Sequence, residues 1–185
     1  MKTHMKIREL RKRRGLTLHQ LAFLSGVTKS YVSKIERSGK LPPFSTLHSI
    51  ARALGVGIHE FLDTPSPIRK SQNIEIAAQA ERRRRDVIPS EGGYDYEPLL
   101  TNYTNKYMAP FLIHVPTGRT RYFSHDGEEF LFVLRGTIDL HYEKKTYSLS
   151  KGDGFYLDSR IKHRFQNTEE TTAVLLAVNF DYRRF

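Results

Sequence analysis

The chain contains no cysteine, and none of its apolar runs approaches the length of a membrane-spanning helix. The first absence excludes a disulfide framework and any metal site built on thiolate ligands. The second argues against a membrane span, which needs about 18 consecutive apolar residues, and no signal-peptide-like apolar segment follows the N-terminus. At 185 residues we expect one or two domains in a soluble, cytoplasmic protein that makes no contact with a membrane.

Acidic residues are scarce at the start of the chain. Residues 1–63 contain 12 lysines and arginines against 4 aspartates and glutamates, a net charge of +8, whereas the remaining residues contain 18 against 16, a net charge of +2. Clustered cations release counterions when they bind a phosphate backbone, which gives affinity for nucleic acid of any sequence. The basic residues expected to contact phosphates are Lys6, Arg8, Arg11–Arg14, Arg37 and Lys40.

The segment Leu16–Arg37 has the pattern of a complete helix-turn-helix. Thr17 is placed to cap a first helix, and Gln20, three residues later, can close a capping box with it. Gly26 can adopt the positive φ angle that a sharp exit from this helix requires. Thr28 then caps a second helix, which is apolar on one side and short, polar and basic on the other. Such a helix suits the major groove of DNA.

Given these features, residues 6–62 resemble the phage-repressor-type helix-turn-helix domain, also called the Cro/C1 or XRE-like domain. The resemblance implies five short helices. The first is expected at about Ile7–Arg14, the fourth after Pro43 with Ser45 as its N-cap, and the fifth at Ile58–Leu62.

The same resemblance implies a double-stranded DNA operator, bound by a homodimer on two half-sites about one helical turn apart. Bases would be read by Lys29, Ser30, Ser33 and Lys34, because the first turn of the second helix faces the groove. Lysine can donate to guanine, whereas serine specifies weakly. The other positions expected to contact DNA are Thr17, Gln20, Thr28, Tyr31, Arg37 and Lys40.

The composition changes after Asp63, where a stretch containing proline and serine begins. We expect a helix-turn-helix domain at 1–63, a linker at 64–90 and a β domain at 91–185. Short runs rich in β-branched and aromatic residues alternate with turn residues there, which predicts an all-β sandwich or barrel. The predicted strands are Phe111–Val115, Glu129–Leu134, Thr137–Tyr142, Tyr147–Leu149, Gly154–Leu157, His163–Gln166 and Thr172–Phe180.

Two stretches of the β region, 125–136 and 152–167, have the residue types and spacing of paired motifs. In this respect they resemble the cupins, which implies a small double-stranded β-helix, or jelly roll. The whole chain would then combine an α-helical head with an all-β domain. The sequence departs from the family pattern in that Phe123 replaces a histidine of the first motif. Asp158 and Arg160 stand where the second motif commonly has proline and glycine.

His125, Glu129 and His163 remain from the cupin ligand set. Two imidazoles and one carboxylate can hold one face of an octahedral ion and leave three positions open. This arrangement suits non-haem Fe(II) and also accepts Mn, Ni, Co or Zn. The alternative is that the three residues line a pocket without metal.

A small-molecule effector pocket is expected inside the β domain. Strand alternation turns Leu131 and Val133 inward together with Glu129, and Phe165 inward together with His163. The pocket would be largely apolar with a few polar groups, as small-molecule sites usually are. Its expected lining residues are Phe111, Arg121, Phe123, Leu131, Val133, Tyr156 and Phe165.

Three functions compete at this point. The first is a transcription regulator whose cupin binds an effector, and the basic head favours it. The second is an iron-dependent oxygenase, because the two-domain plan, the stretch 129–136 and the ending Leu176–Phe180 are similar to those of the hydroxypropylphosphonate epoxidases. The third is a DNA-bound scaffold whose cupin serves only for dimerisation. We expect the regulator and no enzymatic activity.

Overall fold

The computed structural model describes residues 3–38, 41–57, 60–61, 74–76, 78, 87–100, 108–125 and 127–180. The chain divides into two compact units, a helical one and a β one, which are described separately. No helix in these described ranges combines the length and the apolarity needed to cross a bilayer.

The described part of the helical unit contains four helices: α1 (Thr3–Arg13), α2 (Leu18–Ser25), α3 (Lys29–Ser38) and α4 (Phe44–Ala53). They bury one apolar core, which includes Ile7, Leu21, Val32, Ile35, Leu47, Ile50, Leu54 and Phe61. Val32 and Ile35 in α3, and Leu47, Ile50 and Leu54 along α4 and its C-cap, lie three or four positions apart, so each of these two helices turns one apolar stripe inward.

The expected count of five helices is corrected to four in the described residues. Only Glu60 and Phe61 of the predicted fifth helix are described, and there the amide of Glu60 donates to the carbonyl of Gly57 at 3.1 Å in a single tight turn. The predicted cap of the fourth helix was also wrong. Pro43 is its N-cap and makes no side-chain cap bond, because the proline ring carries no hydrogen-bond acceptor. Ser45 lies buried inside the helix.

The helix-turn-helix itself is confirmed at residue level. The Thr17 hydroxyl accepts a bond from the amide of Gln20 at 3.1 Å, and the Gln20 side chain accepts from the amide of Thr17 at 2.8 Å, which completes the capping box. Gly26 ends α2 with a φ of 69°. The Thr28 hydroxyl then accepts from the amide of Tyr31 at 3.2 Å and caps α3.

Removing the capping box gives a measurable loss of stability. The variant Thr17→Ala is expected to lower the free energy of unfolding by about 1 kcal/mol. The amide of Gln20 loses the hydroxyl that accepts its hydrogen bond, and the bond from the backbone amide of residue 17 to the Gln20 side chain loses its geometry. Urea unfolding followed by far-ultraviolet circular dichroism measures the loss. Thr17→Ser keeps the hydroxyl and is the control, so an equal loss in both variants would show that the cap is not the cause.

The β unit contains ten strands in its described part. They are β1 (Ile88–Pro89), β2 (Asp95–Pro98), β3 (Met108–Val115), β4 (Gly118–Arg119), β5 (Glu128–Arg135), β6 (Thr137–Tyr142), β7 (Lys145–Ser150), β8 (Gly154–Asp158), β9 (His163–Asn167) and β10 (Ala173–Phe180). Every predicted strand has a counterpart. β1 lies inside the stretch predicted as a linker, and the domain limits remain a prediction.

The strands form two antiparallel sheets. The larger has the order β1-β2-β3-β10-β5-β8 and the smaller β4-β9-β6-β7. Sequence neighbours such as β9 and β10 fall in different sheets, as a jelly roll requires. The inward faces of β3, β5, β9 and β10 bury every second residue, which encloses a core between the sheets. This architecture places Glu129 of β5 and His163 of β9 on inward-facing positions.

Candidate DNA-binding surface and metal site

One face of α3 is exposed and carries the predicted base-reading residues. Lys29, Ser30 and Lys34 are exposed and Ser33 is half-buried, while Val32 on the opposite side is fully buried. Positions 29, 30, 33 and 34 share one face of a helix because each turn takes 3.6 residues. The structure therefore brings the four predicted base-reading side chains onto one surface. The acidic residue of α3, Glu36, is buried away from it.

The remaining predicted DNA-binding residues surround this face. Thr17, Gln20, Thr28 and Arg37 are exposed. The Nε of Arg37 donates to the carbonyl of Ser33 at 3.1 Å, which holds the guanidinium along the last turn of α3. The ammonium of Lys34 lies 5.9 Å from the ring centre of the half-buried Tyr31, and Lys40 lies outside the described residues.

Arg11 does not serve as a phosphate contact, contrary to the expectation from sequence. Its Nε and Nη2 donate to the two carboxylate oxygens of Glu36 at 2.6 and 2.9 Å, and its Nη1 donates to the carbonyl of Leu16 at 2.8 Å. The side chains of Arg11 and Glu36 are 11% and 6% exposed. This buried fork ties α1 to the inner face of α3 and restrains the orientation of α3. Arg13, on the same helix, pairs with Glu9 at the exposed surface.

In the β unit, the structure brings His125, Glu129 and His163 together. The Nε2 of His125 lies 3.2 Å from Oε1 of Glu129, and the Nε2 of His163 lies 3.7 Å from its Oε2. All candidate ligand atoms lie within 4.8 Å of one another. Ligands about 2.1 Å from a common ion sit about 3 Å apart at right angles, so small shifts bring the three groups onto one ion.

The hydrogen bonding of His163 fits a metal ligand. Its Nδ1 lies 2.8 Å from the carbonyl of Ile161, so the proton sits on Nδ1 and the lone pair on Nε2. That Nε2 is buried and has no hydrogen-bond partner among the described residues. A backbone carbonyl on the far nitrogen is the usual device that orients a metal-bound imidazole. The donor set therefore fits a divalent ion.

Burial and charge act together on these groups. Desolvation lowers the pKa of His163 and outweighs the attraction of Glu129, so the imidazole is held neutral, as metal binding requires. Desolvation raises the pKa of Glu129, but the charge and hydrogen bond of the neighbouring His125 more than offset it, so the net direction is down. The carboxylate is thus ionised beside two nitrogen donors.

The departures from the cupin motif have structural consequences. Phe123 occupies the place of a fourth ligand and packs its ring edge-on against His163, with 4.3 Å between ring centres, so three candidate protein ligands remain.

In the second motif the carboxylate of Asp158 accepts from the backbone amide of Arg160 at 3.0 Å and pairs with its guanidinium. These bonds lower the pKa of Asp158 to about 2. The pair closes the turn that proline and glycine commonly form.

The predicted pocket residues divide into two groups. Phe111, Leu131, Val133 and Phe165 are at most 1% exposed, and Phe123 is half-buried against His163. Two predictions were wrong: Arg121 is exposed, and Tyr156 is 64% exposed because it lies on the outward face of β8, where its hydroxyl donates to Glu128. Tyr156 therefore does not line the interior.

Comparison with known proteins agrees with this two-part description. The helix-turn-helix family matches residues 7–61, and the cupin domain family matches residues 111–179. The chain is 27% identical over 172 residues to the HTH-type transcriptional regulator PuuR of Escherichia coli, covering 88% of this chain and 86% of that protein. It is 32% identical over 107 residues to the immunity repressor of Bacillus phage phi105, covering 54% of this chain and 74% of the repressor.

The chain belongs to the helix-turn-helix transcriptional regulators. A cupin domain follows its DNA-binding head.

Solved structures share the fold of the regulator over nearly its whole length. An HTH_3-family transcriptional regulator from Vibrio cholerae superposes with a TM-score of 0.63 at 22% identity, covering 99% of this chain and 96% of that one. Hydroxypropylphosphonic acid epoxidase from S. wedmorenis superposes with a TM-score of 0.51 at 25% identity, covering 97% of each chain. The relatives that match by sequence over most of the chain are regulators, so the comparisons favour the regulator over the oxygenase.

Sequence reasoning missed two features of the regulator. Glu36 stands on the inward face of α3 next to Ile35, and a lone carboxylate there was a signal that a buried cation must pair with it. Asn179 is the one polar residue on the inward face of β10 and is 1% exposed. A polar residue at an inward position of an apolar strand was the signal in this case.

Proposed function

We propose that the regulator binds a double-stranded operator as a homodimer, through the exposed face of α3. Lys29, Ser30, Ser33 and Lys34 would read bases from the major groove. Thr17, Gln20, Thr28, Tyr31, Arg37 and Lys40 would contact or position the phosphate backbone. The observation that carries this proposal is that one exposed helix face collects the four base-reading side chains while Arg11 and Glu36 fix the helix from behind.

The ionic-strength dependence of operator binding tests this footprint. Several lysine and arginine contacts to phosphates must release counterions, with a slope of about −0.9 in log K per contact. With four or more contacts, affinity falls by about 100-fold or more between 50 and 200 mM salt. Fluorescence anisotropy with a labelled duplex measures this slope, and an affinity independent of salt would contradict the proposed surface.

We infer that the cupin domain binds a small-molecule effector and a divalent metal ion at His125, Glu129 and His163. The ion would be Fe, Mn, Ni, Co or Zn, all of which accept two imidazoles and a carboxylate. Such an ion supplies open positions that attract oxygen atoms of a ligand. Phe111, Leu131, Val133 and Phe165 supply apolar walls, and Phe123 supports His163. The effector can change the affinity for the operator only if it binds two states of the dimer with different affinities.

The metal site is tested by removing one ligand. His163→Ala is expected to weaken Co²⁺ binding by more than about 100-fold, beyond what the loss of an outer-sphere partner costs. Isothermal titration calorimetry and elemental analysis of the loaded protein measure it. His141→Ala is the matched control, because His141 of β6 contacts Gln166 of β9 and Thr146 of β7 and not the three candidate ligands. Equal affinity in the wild type and both variants would refute the metal assignment.

A further inference from the structure

Asn179 carries an unsatisfied buried amide beside the candidate metal ligands His125, Glu129 and His163, which form the ligand cluster. The residue is 1% exposed, and neither its Oδ1 nor its Nδ2 has a hydrogen-bond partner among the described residues. Native proteins rarely leave a buried amide unpaired, because each orphaned polar atom loses its hydration without compensation. An exception of this kind needs an explanation, and a ligand that forms the missing bonds is one.

The position of Asn179 points to that ligand's location. In the antiparallel pairing of β10 with β5, Asn179 lies directly opposite Glu129, and both face inward. Side chains in such a pair have Cβ atoms about 5 Å apart. The orphaned amide is therefore the neighbour of a candidate metal ligand.

Two small side chains flank Asn179. On its other side Asn179 pairs with Ala109 of β3, and Ala177 precedes it on the inward face of β10. Ala109 and Ala177 are at most 1% exposed and fill little volume with a single methyl group each. Neither methyl group can hydrogen-bond the amide, so these two neighbours leave it unsatisfied.

A second orphaned group lies at Ser159, whose backbone bonds to His125. The hydroxyl of Ser159 is fully buried and has no partner among the described residues. The backbone carbonyl of Ser159 accepts from the amide of His125 at 2.9 Å, and its amide donates to the carbonyl of Gly127 at 3.1 Å. Unsatisfied polar groups thus lie on both sides of the strand that carries Glu129.

We propose that Asn179 is the specificity-determining residue for the effector. Its amide donates to an oxygen of the bound ligand and accepts from a donor on the same ligand. This rests on the proposed function, in which the effector occupies the site at His125, Glu129 and His163. The ligand class is a small oxygen chelator with a hydrogen-bond donor next to a chelating oxygen, as in hydroxamates, amides and hydroxy or amino acids.

Two matched probes test this assignment on full-length protein loaded with Co²⁺. Acetohydroxamic acid chelates through two oxygens and carries an N–H donor, whereas N-methylacetohydroxamic acid chelates in the same way without the donor. We expect the wild type to prefer the first probe by about 10-fold, the value of one hydrogen bond to a buried acceptor. Asn179→Leu is expected to abolish this preference, as followed by the visible absorption of Co²⁺.

A thermal melt without metal or probe gives an independent result. Asn179→Leu is expected to raise the melting temperature by about 2–4 °C, because it removes a buried amide that only the ligand satisfies. Gln166→Leu is the matched control: Gln166 already accepts from Arg119 at 2.9 Å, so its loss does not raise the melting temperature and leaves the probe preference intact. Should Asn179→Leu fail to fold, Asn179→Ala is tested for the same loss of preference.

The outcomes separate two kinds of failure. If the wild type binds no Co²⁺, the metal site of the proposed function is wrong and the present inference falls with it. If Co²⁺ and both probes bind but the Asn179 variants keep the 10-fold preference, only the inference is wrong. A lower melting temperature in Asn179→Leu, with preference unchanged, identifies Asn179 as a structural residue and also overturns it.

Discussion

Replacing Arg11 by methionine is expected to lower the free energy of unfolding of the helical unit by about 3 kcal/mol. The substitution leaves the carboxylate of Glu36, whose side chain is 6% exposed, buried without its cation. It also removes the donor to the carbonyl of Leu16. Urea unfolding followed by circular dichroism at 222 nm reports on the four helices and measures the loss.

The partner of Arg11 provides the control for this prediction. The double variant Arg11→Met with Glu36→Met is expected to recover most of the lost stability, because no buried charge remains. Arg13→Met removes a cation from the same helix, but its pair with Glu9 is exposed, with side chains 71% and 40% exposed. That variant is expected to change stability by less than about 0.5 kcal/mol. Similar losses for Arg11→Met and Arg13→Met would contradict the structural role of the fork.

Recognition of the operator is expected to depend on two exposed lysines of α3. The double variant Lys29→Ala with Lys34→Ala is expected to weaken operator binding by about 100-fold or more, because each lysine that contacts a base contributes about 1–3 kcal/mol. Both side chains are exposed and project from one face of α3, so the fold is expected to be retained. Anisotropy at fixed salt measures the affinity, and circular dichroism verifies the fold.

A control with the same change in charge separates recognition from general electrostatics. Lys144→Ala with Lys145→Ala removes two exposed lysines from the β6–β7 hairpin of the other unit. This variant is expected to change operator affinity by less than about 3-fold, which is the size of a long-range, screened effect. If both double variants weakened binding equally, the basic face of α3 would have no special part in recognition.

The local features of the fold were predictable from the sequence because short-range chemistry determines them. The bonds between Thr17 and Gln20, the positive φ of Gly26 and the cap by Thr28 each involve residues within three positions of one another. The strands were predictable because alternation and turn residues are also local signals. The spacing of His125 and Glu129, together with the resemblance to the cupins, indicated a cluster that the structure brings together.

The features that escaped prediction depend on contacts between distant residues. Arg11 was grouped with phosphate-binding cations, since nothing within its own helix shows that Glu36, 25 positions later, reaches its guanidinium. Tyr156 was placed inside the barrel because an aromatic residue fits either face of a strand. Its outward position follows from the register of β8 against β5. The helix α4 begins before the position expected from the sequence. Its N-cap is Pro43, whose ring fixes the φ angle there, whereas Ser45 was expected to be the cap.

The most direct test of sequence-specific regulation is selection of bound DNA from a random duplex library by the purified full-length protein at moderate salt. We predict enrichment of one motif made of two symmetric half-sites about 10 base pairs apart. The same selection with the Lys29→Ala, Lys34→Ala variant should yield no such motif. Absence of any enriched motif with the wild type, or recovery of the same motif by the variant, would contradict the assignment of α3 as the helix that reads the operator.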